Sequence, residues 1–392
     1  MDTEPHLPVS GQRSLPSKVV MAYHMRTTFV RRDCELLRGS GIEVEEFAFH
    51  GKGIMRIVKS FVEQFVKLWR QRNEGVMWMT QSAGYLSLLP VLFSKWSSIR
   101  TLLVVIGTDG ANLPEINYGH YRKPGLAWAT RQSLAWAQGI APVHRSLEQS
   151  DYTYMPVRHR RQGFRAFVPT VRGEVREIIN GYSESLWGCD VPFEGRQGQF
   201  LTVFQASWAM PAIRKGLDLL IDVATVRPDW RFTLVGSVPE DTDVPENITV
   251  VDNVAQHELR AIYNQHRVYI QASIFEGFPN ALCEAMACGC FPVGSNVAGI
   301  PDIVSTWGIL VAERDVSQWV NALERAVQVT GAAESTAQSI SNGLLSRFPL
   351  AKRQAELVQF IHDLSPAKQS NQSRQSAQSQ PKSRSNFSTS SL

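Results

Sequence analysis

Cysteine is scarce in this chain, 5 in 392 residues, which excludes a disulfide scaffold and reads as reduced thiols. Long apolar runs are missing too. The nearest, Tyr85 to Phe93, stops at Ser94-Lys95, well short of the about 20 residues that an integral span needs. An excess of one charge is also absent. The 40 Lys and Arg face 36 Asp and Glu, and Lys368, Arg374, Lys382 and Arg384 near the end account for the difference. The chain ahead of them is neutral, so a core that binds nucleic acid through clustered cations is not expected. The start, with Asp2, Glu4 and two prolines by Pro8, lacks the basic and apolar regions of a signal peptide. These absences predict a cytoplasmic protein, and 43% hydrophobic content over this length predicts two domains with sizeable cores.

The apolar pattern predicts α/β architecture. Strands are expected at Lys18–Tyr23 and Glu43–Phe49 around a helix from Thr27 or Thr28 to Gly39, then at Val76–Met79 and Leu102–Ile106, with a helix over Leu126–Gln138. The rhythm repeats from Phe200. Strands at 200–204, 231–235, 248–251, 268–271 and 291–293 alternate with helices at 216–226, 256–265 and 280–288. Strand, helix and strand with short links imply parallel, doubly wound sheets. The expected organisation is a lead-in over 1–16, a first domain over 17–194 and a second over 195–345. A helix over 346–364 packs back on the first domain, and a Ser- and Gln-rich tail over 365–392 is disordered. The glycine-rich 194–199 reads as the linker. Open parallel sheets bind ligands at the carboxyl ends of their strands, which marks the polar loop Gly107–Gly119.

The densest chemistry lies between Ser273 and Pro301. Glu276 falls in a loop after a strand, and Glu284 follows eight positions later, about a turn into a helix. Gly277 and Pro279 bend the chain between them, and the helix start leaves free N–H groups that suit a diphosphate. A carboxylate on each side can accept hydrogen bonds from sugar hydroxyls.

This segment resembles the E-x7-E signature of retaining GT-B glycosyltransferases of family 4. Ile213–Leu220 resembles the K-G-x-D-x-L motif of that family, Asn180-Gly181 its N-G-x-D stretch, and Gly107-Thr108-Asp109 a tripeptide of its acceptor domain. The resemblance implies two Rossmann-like domains facing across a cleft. It also implies transfer of a hexose from a nucleoside diphosphate sugar with retention, without a metal or other cofactor. Glu284 would hold the ribose and Glu276 the transferred sugar. Lys215, with Arg214, would hold the diphosphate, and Gly277, Phe278, Asn280, Ala281 and Leu282 would line the donor. The acceptor, a carbohydrate or a lipid-linked molecule, would face His24, Asp109 and His120, with Asp109, Lys215 and Glu276 as the catalytic set. The chain departs from the family at Ile106, where relatives carry histidine, and at Ser207-Trp208, where they carry arginine. A catalytically silent relative that binds as a partner subunit is therefore the alternative.

Several other features have plain readings. Asp241-Thr-Asp243 mimics a metal-binding D-x-D but sits in an acidic turn. Trp128 and Trp136, eight apart on one helix, are expected in the core. Cys283, Cys288 and Cys290 lack a fourth ligand for zinc and are expected to be buried. Ile54–Arg72 forms a basic amphipathic helix, which either packs on the sheet or makes peripheral contact with an anionic membrane.

Overall fold

The computed structural model describes residues 15–16, 18–51, 53–205, 209–331 and 336–365. The lead-in up to residue 14, Ser207-Trp208 and the tail from residue 366 lie outside the described residues.

The first sheet is built from β1 (Lys18–Tyr23), β2 (Glu43–Ala48), β3 (Met77–Gln81), β4 (Arg100–Val105) and β5 (Gly139–Pro142). A short hairpin, β6 (Ser150–Asp151) with β7 (Arg161–Gln162), follows, and β8 (Glu174–Val175) closes the edge. The order is β2-β1-β3-β4-β5-β8, all parallel. Helices α1 (Thr28–Gly39), α2 (Ile54–Gln71), α3 (Tyr85–Phe93) and α4 (Pro124–Trp136) are the crossovers. The apolar run Tyr85–Phe93 is thus a core helix. Among the described residues no helix is long and apolar enough to cross a membrane.

The second sheet runs β11-β10-β9-β12-β13-β14, also parallel. In chain order its elements are β9 (Gly198–Gln205), α5 (Ala209–Lys215), α6 (Leu217–Val226), β10 (Phe232–Ser237), β11 (Ile248–Val251), α7 (Gln256–Gln265) and β12 (His266–Gln271). Then come α8 (Asn280–Ala287), β13 (Phe291–Ser295), α9 (Ile300–Val304), β14 (Ile309–Val311), α10 (Val316–Gly331) and α11 (Ala337–Arg347). Val268, Tyr269 and Ile270 are buried in succession, because helices cover both faces of such a sheet.

Strand order locates the ligand crevices. In a doubly wound sheet they open where the order reverses, at the carboxyl ends of the strands. Those points fall between β1 and β3 in the first sheet and between β9 and β12 in the second.

The last helix, α12 (Leu350–Leu364), leaves the second domain and packs on α1. Arg353 donates to both carboxylate oxygens of Asp33 at 2.8 Å and to the carbonyl of Ile178 at 3.0 Å, and both side chains are buried.

The segment expected to be the linker is anchored by a buried side chain. Arg196 is buried, and its guanidinium donates to the carbonyls of Val191, His266 and Cys288 at 2.7–2.8 Å. This satisfies its donors without a counter-ion. Trp128 departs from expectation, whereas Trp136 does not. Trp128 is exposed, and Trp136 lies between Lys95 and Arg172, whose cations sit 3.6 and 3.4 Å from the ring centroid. Trp136 is half-buried and packs against the core as expected, with the cation contacts added to that packing. Asp241 and Asp243 are exposed. Cys283, Cys288 and Cys290 are buried, and among the described residues no three His, Cys, Asp or Glu side chains gather as a metal site.

Candidate active site

The crevice of the second sheet is entered by α5 after β9 and by the loop after β12. Gly216 ends α5 at φ +86°, and a Cβ there would fall 2.4 Å from the carbonyl oxygen of Ala272. Only glycine allows this left-handed, close approach. The approach brings Lys215 and Arg214 onto the loop that carries Glu276.

Lys215 Nζ and Arg214 Nη1, the latter at 3.2 Å, both donate to Oε1 of Glu276. Ser273 Oγ donates to the same oxygen at 3.3 Å, and Gln271 Nε2 donates to Ser273 Oγ at 2.7 Å. Burial alone would raise the Glu276 carboxyl, but Lys215 and Arg214 outweigh it and hold the group below the usual carboxylate range. In the free protein one carboxylate therefore pairs with two cations and leaves the cluster with a net positive charge, which an incoming diphosphate can offset.

Glu276 is followed by Gly277, where a Cβ would lie 2.8 Å from both the carbonyl oxygen of Ile106 and a methyl of Leu147. The loop after β12 thus touches the loop after β4 across the cleft. Phe278 is buried against Phe348, with His144 at its other side. Leu282 is buried and Ala281 half-buried. What these residues have to offer a ligand is their backbone, because the first N–H groups of a helix such as α8 lack helical partners. The Asn280 side chain is occupied: its Oδ1 accepts from Tyr182 Oη at 2.7 Å and Asn180 Nδ2 at 3.1 Å. The N-G-Y stretch thereby fixes the start of α8.

Glu284, one turn on, makes no ion pair within 4.0 Å among the described residues, and burial pushes its carboxyl up to about 7. Arg32 of α1 and the Tyr263 hydroxyl pull it partly back. The raised group holds a proton in the folded protein that the unfolded chain has released. Its stabilising effect is therefore complete below pH 4.5 and lost as pH rises through about 7. Glu284→Gln is expected to match wild-type stability near pH 5 and exceed it by about 1–3 kcal/mol near pH 8. It should also bind donor about tenfold more weakly there. Melting curves and donor titrations at the two pH values check this.

The first-domain crevice holds the other candidates. His24 Nδ1 lies 3.1 Å from the carbonyl oxygen of Phe49, and the ring lines a cavity of ≈ 450 Å³ with Met25, His50, Gly51 and Arg56. His120 Nδ1 lies 3.1 Å from Thr130 Oγ1. Burial lowers both imidazoles below their ordinary value, so they are neutral near pH 7. Asp109 is a correction. It is completely buried, and its carboxylate accepts N–H bonds from Ala83, Ile106 and Gly107 at 3.0–3.1 Å. It ties the loops after β3 and β4 together and is not presented to the cleft as a catalytic group.

Four residues of the cleft escaped the sequence reading. Tyr118 stacks against Arg214, 4.9 Å from ring centroid to guanidinium carbon, and lies 5.8 Å from the Phe275 ring. His144 Nε2 lies 3.0 Å from Oδ2 of Asp302, to which Arg145 also donates at 2.8 Å. Arg32 donates to the carbonyl of Gly181 at 3.0 Å and adds positive charge near Glu284. Tyr118 lay inside the loop already marked. No local signal distinguishes Arg32 or Asp302, and His144 follows a four-residue strand ending in proline that no periodicity betrays.

Two Rossmann-like domains facing across this cleft define the GT-B fold. Sucrose-phosphate synthase from Thermosynechococcus elongatus superposes with a TM-score of 0.70 at 15% identity, covering 89% of this chain and 99% of that one. Anabaena HepE in complex with UDP and glucose gives 0.64 at 13% identity, covering 88% and 100%. Residues 202–328 match the family model of Glycosyl transferases group 1. Among curated relatives, one subunit of the phosphatidylinositol N-acetylglucosaminyltransferase of Arabidopsis thaliana is 26% identical over 129 residues, 30% of this chain and 29% of its own length. Its Homo sapiens counterpart is 24% identical over 164 residues, 38% and 34%. The chain thus spans about a third of the length of these relatives.

Proposed function

We propose that this protein is a retaining glycosyltransferase that binds a nucleoside diphosphate sugar in the crevice between β9 and β12. The acceptor, a carbohydrate or a lipid-linked molecule, enters from the β1–β3 crevice opposite. The observation that carries this reading is the convergence of Lys215 and Arg214 on Glu276, beside the free amides of α8. In the reaction, Lys215, Arg214 and those amides stabilise the charge that grows on the leaving diphosphate. Glu276 orients the sugar and Glu284 the ribose. The chemistry needs no metal or other cofactor in this scheme. The match to a glycosyltransferase family model over the second domain, and relatives named for N-acetylglucosaminyl transfer, support it.

A second reading, a silent partner protein that binds the nucleotide without turnover, is favoured by the inward burial of Asp109. Thermal shift with uridine, guanosine and adenosine diphosphates, followed by donor hydrolysis without acceptor, separates the two. A nucleotide at 100 times its dissociation constant should stabilise by about 2.7 kcal/mol. Sugar released with retained configuration in the presence of a chelator supports the transferase. Binding without release supports the silent partner, and a flat response to every nucleotide overturns both.

A further inference from the structure

Helix α2 is turned inside out. Its apolar stripe would ordinarily face the sheet, yet Met55 is 80%, Val62 57% and Trp69 52% exposed, with Ile54, Val58 and Phe65 beside them. The face that meets the sheet is mostly polar, with Ser60, Gln64 and Gln71 buried around Leu68. Hydrogen bonds fix that orientation. Gln64 Nε2 donates to the carbonyl of Leu86 at 2.8 Å, and Ser60 Oγ accepts the His50 N–H at 3.0 Å. Gln71 accepts from Trp78 Nε1 and donates to Glu45, both at 3.2 Å, and Lys67 pairs with Glu45. Rotating the helix to hide its apolar stripe would break all of these.

The outward stripe runs about 27 Å, the length of an 18-residue helix. The exposed Trp96 extends it through Phe93, whose ring lies 5.6 Å from Trp96 and 5.4 Å from Phe65. Arg56, Lys59 and Arg70 lie along its flank, Arg72 follows at the end, and Glu63 is the one acid in the helix. A continuous exposed apolar surface of this kind marks an interaction site.

We propose that the outer face of α2 docks the protein on an anionic membrane surface. The charge pattern selects this occupant. Cations beside an apolar stripe match acidic headgroups over acyl chains, and Trp69 and Trp96 are the ring type that settles at headgroup level. The helix begins at the cavity lined by His24 and Arg56, so a bilayer beneath it lies beside the first-domain crevice.

The test is co-sedimentation of the full chain with phosphatidylcholine vesicles, with and without phosphatidylserine, at low and high salt. Wild type should bind the anionic vesicles and be released by salt. Each basic residue near the surface contributes about fivefold, so Lys59→Gln with Arg70→Gln should weaken binding by on the order of tenfold or more. Val62→Ser with Trp69→Ser should weaken it by at least tenfold at low salt. Both pairs are exposed, so melting temperature and nucleotide binding should stay at wild-type values. Equal binding to neutral vesicles, or no binding, overturns the proposal. So does dimerisation in ultracentrifugation that Val62→Ser with Trp69→Ser abolishes while wild type ignores vesicles, which would assign the face to a second copy of the chain.

Discussion

Glu276→Gln is expected to lower turnover by a factor on the order of 10² to 10³ while nucleoside diphosphate affinity rises several-fold. The two effects have one origin. In the free protein Lys215 and Arg214 share one oxygen of Glu276, and their charges hold that carboxyl low in spite of burial. Glutamine keeps the shape but removes the counter-charge, leaving both cations for the diphosphate. In the proposed reaction the sugar would lose the carboxylate that orients it, an interaction that would matter as charge and geometry change. Nucleotide titration, single-turnover rates and a melting curve read the three quantities separately. A parallel loss of affinity and melting temperature would instead make Glu276 a brace for its loop.

Arg353→Met should destabilise the first domain by about 3–5 kcal/mol, the usual consequence of stranding a buried charge. Asp33 is completely buried, and its remaining donor is Gln81 Nε2 at 3.0 Å. The carbonyls of Ile178 and Ile179 lose their donor as well. The first thermal transition should fall by about 10 °C. Adding Asp33→Leu should restore most of the loss, because the stranded charge is then gone. A single variant that melts within about 2 °C of wild type would show that the pair does not hold α12 in place.

Short apolar runs and helical spacing were enough to place most of both sheets. The strand Lys18–Tyr23, the strand at 248–251 and the helix over Gln256–Gln265 fall on their expected residues. Such elements are legible where the local residue types leave little choice of structure, as the β-branched Ile-Thr-Val-Val of 248–251 does. Short elements without such residues were not legible. α5, over Ala209–Lys215, is seven residues long with Pro211 inside it, yet it carries both cations of the site.

The sequence alone determined the alternating architecture and the pairing of Glu276 with Glu284 around a helix start. It also determined the glycine after Lys215, since only that residue ends α5 against Ala272. The tertiary structure decided the rest. It turned Asp109 inward, because three amides from two loops compete for its oxygens more closely than solvent does. It brought Arg32 from one domain toward Glu284 of the other, a meeting no local spacing encodes. It also chose which face of α2 looks outward. An amphipathic helix can satisfy its apolar stripe or its polar groups against a sheet, and here Glu45, His50, Trp78 and the carbonyl of Leu86 offered hydrogen bonds that only the polar face could fill.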